Sequence, residues 1–254
     1  MKLNYQISGN NQNKTLVLLH GLFGSSDNLA SVAKFFSEHL QVINIDLRNH
    51  GLSEHSSEHN YILMAQDVAD LLSQLEVNSC YLLGHSMGGK VAMTLALQSP
   101  ELVEKLIVED IAPVTYSNRH QDVLAGLGAV DLANLKSRSD ADKQLQAYVL
   151  EMSTRQFLLK NLVKTDSSWS WKCNISGLTV NYPNVCDFPN IDKIYDKPCL
   201  FIKGGQSEYI TQAYQQAIVR LFPQAKAKVV QSAGHWIHAE KPAIFNKILA
   251  DFVL

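Results

Sequence analysis

A serine stands between two glycines at Gly84-His85-Ser86-Met87-Gly88, inside the stretch CYLLGHSMGGK at 80–90. An apolar run precedes it and a helical pattern follows. A serine on so sharp a strand-to-helix turn is held in strained backbone. The glycines fall where a Cβ would strike the neighbouring strand or helix. Its hydroxyl then sits at a helix N-terminus, where the dipole favours developing negative charge. The chemistry this suits is nucleophilic attack on a carbonyl. The same residues satisfy a second pattern: Gly84-x4-Gly89-Lys90 is the first part of a phosphate-binding loop, and KLIVED at 105–110 reads as a strand ending in a magnesium-binding acid. Position 91 is Val, where that chemistry needs a Ser or Thr hydroxyl on the metal, so nucleotide binding is the weaker reading.

A serine needs a base to take its proton. Among nine histidines the best placed is His235, in SAGHW at 232–236 just beyond the last strand pattern, at the sheet edge where such folds bind ligands. A carboxylate should orient that histidine. Asp110 closes the run LIVED at 106–110 and is the first candidate, with Glu109 its neighbouring alternative. Donors for an oxyanion are the backbone N–H of Met87 and one from the loop HGLFG at 20–24, where Leu22 is preferred and Phe23 is the reserve.

The strands that must carry these residues are Thr15–Leu19, Gln41–Ile45, Cys80–Leu83, Lys105–Glu109, Pro198–Lys203 and Ala227–Gln231, each apolar enough for burial on both faces. Helical spacing links them, as in Met64, Val68, Leu71, Leu72 and Leu75, and again in Val91, Leu95 and Ala96. Strand–helix alternation predicts an α/β fold with a mostly parallel sheet and helices on both faces. The alternation breaks across 117–190, which holds helix-like stretches at 141–152 and 154–163 and no strong strand signal. Residues 1–254 therefore read as one domain, with 117–190 an insertion that packs over one end of the sheet.

At 254 residues, 46% hydrophobic and 18% charged, the chain is an ordinary globular one. Its net charge of −2 gives no basis for a nucleic-acid or membrane-surface partner. No apolar run reaches bilayer length, and the N-terminus reads as a first strand rather than a targeting segment. Cys80, Cys173, Cys186 and Cys199 form no C-x-x-C pair and read as reduced thiols of a cytoplasmic protein.

Other residues carry weaker signals. Asp46, Arg48, His50, Gly51 and Ser53 read as an acid–arginine cluster pinning a loop. His55 and His59 have metal-ligand spacing in an exposed loop but no third ligand, so no metal is expected. His238 is placed to support the His235 loop. Substrate-pocket candidates are His20, Phe23, Tyr116, Arg119, Trp169, Trp171 and Tyr182, although aromatic packing explains the rings equally well. Arg119, close in sequence to the proposed acid, suits substrates bearing a carboxylate or phosphate.

Taken together, HGLFGS at 20–25, DLRNHGLS at 46–53, GHSMGGK at 84–90, EDIAP at 109–113 and GHWIHAEKP at 234–242 resemble the α/β-hydrolase superfamily over nearly the whole chain. The wording looks like small bacterial esterases of the YbfF type, which are similar to eukaryotic abhydrolase-domain-11 proteins. The order Ser86, Asp110, His235 is that of the superfamily. Asn49 stands where glycine is usual there. The commoner acid position, in a G-x-x-D loop after the penultimate strand, is held here by Ser207 of KGGQSE at 203–208, which moves the acid to Asp110 and leaves Glu208 as a shifted alternative. The resemblance implies a serine carboxylesterase of acyl esters, extending to acyl-CoA thioesters, with 117–190 as a helical lid over the pocket and no cofactor. Carbon–carbon bond hydrolases or lyases use the same triad, and a non-catalytic binding protein on this scaffold is the rival of a different class.

Overall fold

Leu16 and Leu18 enter one buried cluster with Val32, Phe36, Phe245 and Leu249, while Val17 and Leu19 enter another with Val68, Leu72, Val91 and Leu95. A strand that feeds apolar side chains to both faces must be covered on both, which is why the central runs read as continuously hydrophobic. The computed structural model describes every residue except Asn13 and Ser167. Its strands are β1 (Tyr5–Ser8), β2 (Thr15–Leu19), β3 (Gln41–Ile45), β4 (Cys80–His85), β5 (Val103–Glu109), β6 (Leu162–Lys164), β7 (Trp169–Trp171), β8 (Cys199–Gly204) and β9 (Ala225–Val230). Seven of them form the main sheet in the order β1-β3-β2-β4-β5-β8-β9. Only β1 runs antiparallel to its neighbour.

The helices are α1 (Ala30–Phe36), α2 (Tyr61–Gln74), α3 (Met87–Gln98), α4 (Gln121–Ala129), α5 (Arg138–Leu145), α6 (Met152–Leu159), α7 (Ile175–Val180), α8 (Tyr182–Cys186), α9 (Gln215–Leu221), α10 (Ile237–Glu240) and α11 (Pro242–Val253). Helix α3 is buried on all sides, whereas α1 and α11 cover the opposite face of the sheet. No described helix is long and apolar enough to cross a membrane. The order of strands reverses around β2, since β3 lies on one side of it and β4 on the other. The crevice beyond the carboxyl ends of β2 and β4 is therefore the expected ligand site of such a sheet.

Three expectations are corrected. Residues 117–190 do contain strands: β6 and β7 form an antiparallel hairpin, and the helical stretches shorten to α5 and α6. Three-residue strands are too short for periodicity to show. Strand β9 is an edge strand with mostly exposed side chains, not one buried on both faces. The Asp46–Arg48 stretch does pin its loop, but its acid and arginine act on separate partners rather than on each other. Asp46 accepts from the Ser26 and Leu52 amides, and Arg48 forms a buried ion pair with Asp67 at 2.6 Å. Residues of α4, α5, α6 and α7 share the buried cluster of β2 and α3, so the segment between β5 and β8 packs on the common core.

Candidate active site

Strand β4 ends at His85, and Ser86 takes φ 53° and ψ −118° before α3 begins. That is left-handed backbone, unusual for a serine, and it persists because its surroundings over-determine it. A Cβ on Gly84 would lie 2.1 Å from the Gly88 oxygen, and one on Gly88 would lie 2.3 Å from the Leu19 oxygen. Both positions exclude any side chain. The Ser86 amide donates to the Glu109 oxygen of β5, which fixes the turn to the neighbouring strand.

From this turn the Ser86 Oγ lies 2.9 Å from His235 Nε2, and His235 Nδ1 lies 2.7 Å from Asp110 Oδ2. Asp110 is fully buried and also has a positive φ, 53°, directly after β5. Its other oxygen accepts the Gly204 amide at 3.0 Å, and the Ser207 hydroxyl donates to Oδ2. Both oxygens of the buried carboxylate thus have hydrogen-bond partners. The Tyr209 ring stacks on His235 with centroids 4.1 Å apart. Sequence reasoning gave Tyr209 no role; it follows Ser207 by two residues, in the loop whose departure from the common pattern was the available signal.

The alternatives for the acid lie elsewhere. Glu208 is exposed and approaches Arg119 at 3.9 Å. Glu109, fully buried, receives both the backbone amide and the Nδ1 of His238 at 2.9 Å. Burial alone would raise the Glu109 carboxyl; the adjoining His238 and His85 rings and the His238 hydrogen bonds outweigh it and hold the carboxyl below its ordinary value. His85 donates from Nε2 to the His235 carbonyl at 3.0 Å, and burial depresses it to about 3, so it is neutral. His85, Glu109 and His238 form the one cluster of metal-ligating side chains found among the described residues, but both oxygens of Glu109 are already occupied by His238. His238 supports the His235 loop through this pair.

Leu22 and Phe23 lie in the loop after β2, where Phe23 has a φ of 58° and the Gly24 amide closes a turn on the Gly21 oxygen. The Asn161 amide, between α6 and β6, donates to the Phe23 oxygen at 2.6 Å and ties the insertion to this loop. Met87 is the first residue of α3, so its N–H has no intrahelical acceptor. His20, buried and depressed by desolvation, accepts the Leu47 amide and borders the cavity at Ser86.

Of the pocket candidates, Phe23, Arg119 and His20 line the larger cavity at Ser86, and Tyr116, Arg119 and Tyr182 line the smaller one. Trp169 lines neither, a correction: it belongs to the hairpin, where the Lys164 ammonium covers its ring. Trp171 also lines neither cavity. His59 is buried rather than in an exposed loop, pushed down to about 4 by desolvation and by Arg48, while exposed His55 bonds the Lys172 carbonyl. Asn49 has φ 65°, the conformation for which glycine is usual.

The chain resembles known proteins over nearly its whole length. It is 42% identical over 246 residues to the sn-1-specific diacylglycerol lipase ABHD11 of Mus musculus, covering 94% of this chain and 80% of that one. It is 39% identical to Esterase YbfF of Escherichia coli, covering 95% of each chain. A solved structure described as a marine microorganism esterase superposes with a TM-score of 0.96 at 37% identity, over 99% of both chains. Residues 14–242 match the family model of the alpha/beta hydrolase fold, and the chain belongs to that family.

Proposed function

We propose that the chain is a serine carboxylesterase acting on small acyl esters, and on thioesters of the same shape, through a triad of Ser86, His235 and Asp110. The observation that carries the reading is the unbroken relay from Ser86 Oγ through both His235 nitrogens to buried Asp110. His235 removes the Ser86 proton as Oγ attacks the substrate carbonyl. The Met87 and Leu22 amides receive the oxyanion, a role in which one donor is worth on the order of 10²–10³ in rate. His235 then returns the proton to the departing alcohol or thiol, and water cleaves the acyl-enzyme by the same steps in reverse.

Residues 117–190 serve as the lid: Val123, Thr154, Phe157 and Leu158 wall the cavity above Ser86, and Asn161 anchors the segment to the loop carrying Leu22. Arg119, held over the Tyr116 and Tyr209 rings, borders both cavities at Ser86 and receives a carboxylate or phosphate on the substrate. The relatives named esterase and lipase support an ester substrate. A fluorophosphonate probe read by intact mass tests the proposal. Wild type gains one adduct and Ser86→Ala gains none; equal labelling, or none in either, rejects it.

A further inference from the structure

Two cavities of very different size meet at Ser86. The larger, about 260 Å³, is walled by Leu22, Phe23, Val123, Phe157, Leu158 and Trp236. The smaller, about 40 Å³, is walled by Tyr61, Lys90, Ile111, Tyr116, Tyr182 and Cys186. Ser86, Leu22, Arg119 and His120 border both.

The reaction geometry assigns them. A carbonyl carbon bonded to Ser86 Oγ has three other substituents. The oxyanion faces the Leu22 and Met87 amides. The leaving oxygen or sulfur must come within ~2.6–3.2 Å of His235 Nε2 to receive its proton. His235 and Trp236 border the larger cavity and not the smaller one. The acyl carbon therefore takes the remaining direction, toward Met87 and Lys90 on α3.

We infer that the 40 Å³ cavity is the acyl subsite and the 260 Å³ cavity the leaving-group subsite, so the substrate is a short-chain acyl ester or thioester of a bulky, mainly apolar alcohol or thiol. This rests on the proposed esterase reading. At about 40 Å³ the smaller cavity only slightly exceeds the ~30 Å³ share of one liquid water, so it takes an acyl chain of a few carbons at most. Its walls are tied in place. The Lys90 ammonium donates to the Cys186 and Asp187 carbonyls at 2.9 and 2.6 Å, and the Tyr61 hydroxyl donates to the Val185 carbonyl at 2.6 Å. Tyr182 and His120 Nδ1 lie 2.6 Å apart, a hydrogen bond between a residue of the small cavity and one that borders both. In the acylation step the bond from Ser86 Oγ to the acyl carbon forms as the bond to the alcohol oxygen or thiol sulfur breaks. The Ser86 proton travels by His235 to the departing atom.

Two substrate series test the assignment: p-nitrophenyl esters of rising acyl length, and acetates of rising alcohol length. We expect kcat/KM to fall about tenfold or more between butyrate and octanoate, as overfilling a packed site does, and not to fall between ethyl and octyl acetate. Cys186→Phe should lower the butyrate-to-acetate ratio, and Val123→Trp the octyl-to-ethyl ratio, with neither variant changing the other ratio. A preference for long acyl chains in the wild type, or crossed effects of the two variants, overturns the assignment. The wild-type series decides even if a variant does not fold. Fluorophosphonate labelling of Ser86 separates the failures: a labelled enzyme with the reversed profile rejects only the subsites, and an unlabelled one rejects the esterase reading.

Discussion

The Ser207 hydroxyl donates to Asp110 Oδ2, the same oxygen that faces His235 Nδ1. Ser207 lies in the loop after β8, and Asp110 follows β5, the strand paired with β8. The loop after β8 thus supports the proposed acid through a hydroxyl, and the carboxylate arrives from the adjacent strand end. Two neighbouring loops share one task because parallel strands bring their carboxyl ends side by side.

This relationship ranks three substitutions. Asp110→Asn leaves the shape but disfavours the His235 tautomer needed, and kcat should fall by on the order of 10⁴. Ser207→Ala removes one hydrogen bond to a charged group, ~1.5–3 kcal/mol, and should cost roughly 10–100-fold. Glu208→Gln should stay close to wild type, since that side chain is exposed and its ion-pair contact is with Arg119. Steady-state kinetics on a model ester checks the order; full activity in Asp110→Asn contradicts the assignment.

The buried Glu109–His238 pair lies directly behind the reacting residues, each member close in sequence to one of them. Glu109→Ala leaves the His238 backbone N–H and ring N–H buried without their acceptor, at ~1–3 kcal/mol for each. The melting temperature should therefore fall by about 4–24 °C, at ~2–4 °C per kcal/mol for a chain of this size. His85 and His238 both reach the His235 segment, so kcat of the surviving fold should fall as well. Thermal unfolding with parallel kinetics reads both, and an unchanged melting temperature would show that the pair contributes nothing.

Acid should destabilise the fold through histidines buried as neutral rings. Burial lowers His50 well below its ordinary value, His59 to about 4 and His85 to about 3. Between pH 6.5 and about 4 the unfolded chain binds these protons and the native chain does not. Stability then rises with pH, and each such histidine takes away ~1.4 kcal/mol per unit as pH falls through that window. Urea unfolding at pH 7, 6 and 5 should show the decline. His59→Gln should flatten the slope by about one proton; a parallel line to wild type counts against the role of His59.

Arg119 provides a separable test of substrate charge. Its guanidinium is held over two tyrosine rings and paired only loosely with exposed Glu208. Arg119→Ala should raise KM for esters bearing a carboxylate or phosphate by roughly tenfold, with a smaller change for neutral esters, as loss of one charged contact implies. Equal losses for both classes remove the anion-binding role.

The central sheet was legible before the structure because buried parallel strands require unbroken apolar runs, and β2, β3 and β4 supply them. The proposed nucleophile and base were picked out for a different reason. The glycines around Ser86 mark backbone that other residues cannot follow, and His235 sits beyond the last strand pattern. The hairpin of β6 and β7 was hidden, since three residues carry no period and their pairing is cross-strand. Trp169 looked like a pocket residue because a ring reads alike whether it lines a cavity or covers a lysine.

Local pattern by itself therefore determined the layers of the fold and the order of Ser86, Asp110 and His235 along it. Only the tertiary structure decided which of three carboxylates faces His235. Glu109 and Asp110 are adjacent, yet the left-handed backbone at Asp110 sends one carboxylate to His235 and leaves the other to His238. The two cavities and their unequal sizes were likewise settled by packing, because their walls come from the loop after β2, α2, α3, the insertion and the loops after β8 and β9. Volume at a site depends on how distant segments meet, and no local period encodes it.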